Sequence, residues 1–159
     1  MSIQKIKERL QSKSIFHSEG MINNCPTVIG YEKEFRWKWM ATQLNTFVVA
    51  SDLSDTVVTE ETIEEFLTSA FKYAQKNYTG WPRGFQSGLG VITILLSKKI
   101  SEGSIAYCRE SKSGKKWAGF SVPVIVDTAT YKVYSFKRNP MWGRIYYPYF
   151  REIVNELIS

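Results

Sequence analysis

A chain of 159 residues with 43% apolar and 23% charged side chains has the make-up of a globular domain, long enough to bury a core without disulfide or metal staples. These proportions exclude a disordered or collagenous chain, and the longest apolar run, 91–96, falls far short of the ~20 residues that span a bilayer. Lys and Arg total 21 against 15 acids, a formal charge of +6, and aromatics reach 14%, so the partners to look for are anionic.

In chain order, residues 2–12 read as a charged amphipathic helix without the apolar core of an export signal. Its stripe of Ile3, Ile6 and Leu10 is short, which favours docking on the protein's own core over a membrane surface. Residues 13–26 read as irregular, punctuated by Gly20, Asn23, Asn24 and Pro26. A first strand is expected over 27–39, with Phe35, Trp37 and Trp39 on one face and Arg36, Lys38 and Met40 on the other. A second, β-branched strand over 44–51 follows after a short gap, as in an antiparallel hairpin.

Thr59 is placed to cap a helix whose first turn carries Glu60 and Glu61, and Ile63, Phe66, Leu67, Ala70, Phe71 and Ala74 share one face. Residues 89–97 are apolar on both faces, the mark of a central strand. A short helix is expected over 101–109, with Cys108 buried on it. A strand over 117–127 and another over 132–137 are joined by the turn DTATYK. Pro148 opens a final helix that turns Tyr149, Phe150, Ile153, Val154 and Leu157 toward the core.

The resulting order, α-β-β-α-β-α-β-β-α, implies an α+β fold: one domain, 1–159, with a mixed five-stranded sheet and helices packed on it. Helical crossovers make strands two, three and four parallel, and hairpins set strands one and five antiparallel to them. Four connections then converge on the edge where the parallel strands begin. They carry Trp39, Phe85, Tyr146 and Tyr147 and a basic, aromatic set proposed to bind ligand: Trp81, Arg83, Lys115, Lys116, Arg138, Trp142 and Arg144. Cations neutralise phosphate or carboxylate while rings stack on flat groups, so this interleaving fits nucleic acid or an acidic protein surface.

Catalytic patterns are sparse. The single histidine, His17, lies in the segment read as irregular, and His17-Ser18-Glu19 has no P-C-x-x-C partner to complete a zinc site. Neither a phosphate-binding glycine loop nor a nucleophile elbow occurs, and no cofactor is expected. Cys25 and Cys108 stand 83 positions apart, outside any metal or redox spacing, which points to reduced thiols in the cytoplasm. The expected function is therefore that of a soluble binding protein acting through the basic aromatic edge. The alternative is a metal-dependent enzyme on a phosphorylated or nucleic-acid substrate, with Asp52, Asp55 or Asp127 as ligands. Self-association through the Phe35, Trp37 and Trp39 row is a third expectation, since strand one is placed near a sheet edge.

Overall fold

A computed structural model of the chain describes residues 1–82, 87–110, 119–137 and 144–159. Its elements are α1 (Ile3–Ser12), β1 (Phe16–Ile22), β2 (Cys25–Arg36), a 3-10 turn (Trp37–Trp39), β3 (Thr42–Asp52), α2 (Glu60–Asn77), β4 (Ser87–Ser97), α3 (Glu102–Glu110), β5 (Gly119–Asp127), β6 (Val133–Tyr134) and α4 (Tyr147–Ile158). The fold is α+β, and the six strands form one mixed sheet in sequential order, β1 to β6.

Alternation along β3 sets the layers. Leu44, Val48 and Ala50 point to one face, where they pack with Ile6 and Leu10 of α1 and with Phe150, Ile153 and Leu157 of α4. Phe47 and Val49 point to the other, against Ala70, Phe71 and Ala74 of α2. Further along that second face, Leu95 and Ile125 meet Ile63 and Phe66 of α2 and Cys108 of α3. Helices cover both faces, so β4 is buried along its whole length, as its unbroken apolar run requires. Each such side chain contributes ~1.5–3 kcal/mol on leaving water. No helix among the described residues is long and apolar enough to cross a membrane.

β3, β4 and β5 are parallel, and β2 and β6 run antiparallel to their neighbours. Thr59 caps α2 reciprocally: its Oγ1 accepts from Thr62 N at 3.2 Å, and Thr62 Oγ1 accepts from Thr59 N at 3.3 Å. Pro148 is the second residue of α4, where a missing N–H costs nothing.

Three expectations are corrected. The sheet has six strands instead of five, because part of the 13–26 segment forms β1, paired antiparallel with β2. Its turn, Asn23-Asn24, has both residues at positive φ (48° and 62°), the backbone that a two-residue hairpin needs. The strand expected to reach Trp39 ends at Arg36; Trp37–Trp39 coils into the 3-10 turn, and Met40 and Ala41 take φ of 58° and 56°. Finally, the strand expected over 132–137 is confined to Val133–Tyr134.

Candidate functional site

Strand order already narrows the position of a site. β3, β4 and β5 follow one another across the sheet, linked by α2 and α3 on the same face. The order never reverses within this trio, so it contains no switch point of the kind at which open α/β sheets bind ligands. The acidic residues there serve local structure. Asp52 Oδ1 accepts from Ser54 N at 2.8 Å, Asp55 lies 3.5 Å from Lys98 Nζ, and Asp127 accepts from the backbone of Ala129 and Thr130 and from the Thr130 hydroxyl. The Thr130 hydroxyl is the main reason the Asp127 carboxyl titrates below its ordinary range. Among the described residues, no group of three or more His, Cys, Asp and Glu is arranged to hold a metal ion.

The opposite edge is built differently. Pairing of Arg36 with Thr42 closes the β2–β3 loop over residues 37–41, and β4 begins at Ser87, beside Gln43. Segment 78–82 therefore lies against the start of β3. Its anchor is Asn45, a wholly buried amide. Asn45 Oδ1 accepts from the Tyr31 hydroxyl at 2.8 Å, and its Nδ2 lies 3.4 Å from Ser87 Oγ. Tyr78 Oη reaches the same Ser87 hydroxyl at 2.7 Å, and Tyr31 Oη accepts from Thr79 N at 3.3 Å. Gln43 Oε1 accepts from Trp81 N at 3.1 Å. These bonds satisfy polar groups that would be costly to bury alone, and in doing so they fix where Trp81 stands.

Trp81 joins Phe35 and Trp37 in an open aromatic cluster. Phe35 meets Trp37 edge-on at 5.4 Å between centroids, with planes 80° apart, and meets Trp81 at 6.2 Å with planes 58° apart. Their exposures are 42% for Phe35, 81% for Trp37 and 47% for Trp81. Lys33 and Lys38 are exposed on either side in sequence. Lys33 reaches over the Tyr31 ring at 5.7 Å and toward the Thr79 carbonyl at 3.4 Å.

The other side of the hairpin tip is closed. Trp39, 1% exposed, packs edge-on against Tyr146 and Tyr149 at 5.4 and 5.2 Å. The Arg36 guanidinium stacks 4.9 Å from the Trp39 ring centre and 5.1 Å from that of Tyr149, and Arg36 Nε donates to Glu34 at 2.7 Å. That bond to Glu34 raises the Arg36 pKa further. The Tyr149 hydroxyl donates to Glu32, and burial, then this carboxylate, pushes its pKa well up. A recess of about 260 Å³ remains between Arg36, Lys38, Trp39, Ile145, Pro148, Tyr149 and Glu152.

Of the residues singled out from the sequence, Trp81 stands in the aromatic cluster, and Arg144 is exposed two positions before Tyr146. Arg83, Lys115, Lys116, Arg138 and Trp142 lie outside the described residues. Among described residues the convergence extends to segments 37–41, 78–82 and 144–146, joined by the Gln43–Trp81, Phe35–Trp81 and Trp39–Tyr146 contacts. The row Phe35, Trp37, Trp39 does not form one face: the first two are open and Trp39 is core, because the 3-10 turn breaks the two-residue period. Asn45, Gln43 and Tyr31 were not singled out as site residues. The polar positions in QLNTFVV were the available signal.

No protein-family model matches the sequence, and neither a curated protein nor a solved structure shows significant similarity to it.

Proposed function

We propose that this chain is a binding protein that holds an anionic macromolecule at the edge of the sheet where β3, β4 and β5 begin. The observation that carries this reading is the Phe35–Trp37–Trp81 cluster. Phe35 meets both Trp37 and Trp81, yet all three rings remain open to water, with Trp37 81% exposed. Contiguous exposed apolar surface is unusual in the absence of a partner to cover it.

Charge supports an anionic partner. Lys33, Lys38 and Arg144 are exposed around the aromatic edge, whereas Asp52, Asp55, Glu60, Glu61, Glu64 and Glu65 cluster at the other end of the strands. The exposed cations Lys33, Lys38 and Arg144 would draw an anion toward the open rings.

The test is a titration of inorganic polyphosphate into the full chain at two salt concentrations, read by tryptophan fluorescence. The expected result is a saturating change whose affinity drops steeply with salt. Lys38→Glu combined with Arg144→Glu should weaken it about tenfold or more while leaving Tm in place, since both side chains are exposed. Affinity unaffected by the double reversal, or no response at either salt concentration, overturns the reading.

A further inference from the structure

We infer that the anionic partner is a single-stranded nucleic acid whose unpaired bases stack on Phe35, Trp37 and Trp81. This rests on the reading above and narrows it to one class of macromolecule.

Ring orientation is the first reason. Phe35 and Trp37 stand 80° apart and Phe35 and Trp81 58° apart, so the cluster presents faces in different directions. A duplex presents base planes only as a parallel stack with its faces occupied, so laying a base on these rings would first cost the unstacking of a step. A flexible single strand splays its bases one at a time and can lay each on its own ring.

The second reason concerns the chemistry of a ring face. Aromatic faces carry negative quadrupole density. The carboxylates of an acidic polypeptide are repelled from them and would lose hydration beside the indoles. Nucleobases stack on the same faces favourably, while their phosphates stay outside. The sequence Lys33-Glu34-Phe35-Arg36-Trp37-Lys38 interleaves the two requirements: open rings at 35 and 37, and exposed ammonium groups at 33 and 38. Arg36 and Glu34 are committed to each other at 2.7 Å, which leaves the lysines to meet phosphate.

Preorganisation is the third. Trp81 is held by Gln43 Oε1 at 3.1 Å, and the segment before it by the buried Asn45 and Tyr31. The backbone that carries Trp81 is thus set before a ligand arrives, so less conformational freedom is lost there on binding.

The experiment compares a labelled oligothymidine with an abasic oligonucleotide of equal length and charge, by anisotropy on the full chain. The oligothymidine should bind about tenfold tighter or more, the scale of base–aromatic stacking. Trp37→Ala should erase most of that difference while keeping salt-dependent binding of the abasic strand. Phe35→Ala serves as a second variant, with circular dichroism confirming the fold of each. Equal affinity for the two strands overturns stacking but leaves the anionic reading standing. An oligoglutamate that displaces oligothymidine at equal charge moves the partner to acidic protein and overturns this inference. Failure of oligothymidine, the abasic strand and polyphosphate alike overturns both.

Discussion

A Cβ added at Gly80 would sit 2.5 Å from Asn45 Oδ1, closer than any side chain tolerates. Asn45 cannot swing aside cheaply, because it is wholly buried and its Oδ1 is the acceptor for Tyr31. Gly80→Ala should therefore cost about 1–3 kcal/mol, the range for a buried polar group forced out of its bonds. It should also weaken ligand binding, since Trp81 is the next residue. Denaturant melts of Gly80→Ala, Asn45→Ala and the double variant check this. The two losses should fall well short of adding, because the second change has no intact contact left to break.

Arg36 acts as a clamp on the closed side of the hairpin tip. Its guanidinium lies over both Trp39 and Tyr149 and is held by Glu34. A lysine keeps the charge but loses the plane that stacks and the geometry of the Glu34 contact. Arg36→Lys should lower stability by about 1 kcal/mol, on the scale of a partly exposed cation–π pair. Chemical denaturation measures it. A stability equal to that of the wild type would mean that Trp39 and Tyr149 hold the tip by themselves.

Periodicity made most of this fold legible. The α2 stripe from Ile63 to Ala74 and the α4 stripe from Tyr149 to Leu157 are buried as their spacing requires. The parallel trio followed from apolar strands separated by helices, and with it the edge where connections meet. β1 was not legible, because a strand at the sheet edge leaves most of its side chains in water and carries little apolar alternation. Trp39 was misplaced for a related reason. Alternating Phe35, Trp37 and Trp39 reads as a strand, but 3-10 backbone turns the third ring under α4. The Asn45 network escaped because it ties Tyr31 and Asn45 of the β2–β3 hairpin to Thr79 and Ser87 respectively, each more than 40 positions further along the chain.

The Asn23-Asn24 turn offers a local check on β1. Both residues sit at positive φ, which asparagine tolerates and a β-branched residue does not. Asn24→Val should destabilise the protein by about 1 kcal/mol, whereas Asn24→Gly should be neutral or slightly stabilising. Asn23 is less suitable, since its Oδ1 also accepts from Ser69 at 2.9 Å. Hydrogen exchange of the β1 amides should quicken in the valine variant and not in the glycine one. Equal exchange in both would mean that α1 and α2 hold β1 without help from its turn.

Cys108 provides the pH dependence with the clearest sign. Burial against α2 pushes its pKa from the ordinary 9.0 up to about 12. Folding thus favours the protonated thiol. Its contribution is fully present below pH 9.0, where folded and unfolded chains both keep the proton. As pH rises further, the unfolded chain ionises first, and stability falls until the folded thiol titrates near pH 12. The loss integrates to about 4 kcal/mol, at 1.36 kcal/mol per pH unit. Denaturant unfolding from pH 8 to 11 should show this decline, and Cys108→Ala should make it shallower without abolishing it, since Cys25, Tyr107 and Tyr149 are raised too, at the cost of a small cavity that is the same at every pH. Because the thiolate is the reactive form, native protein should be alkylated first at the half-buried Cys25, and at Cys108 only as it unfolds. Labelling of Cys108 at the same rate as Cys25 under native conditions would show that α3 opens far more readily than its packing implies.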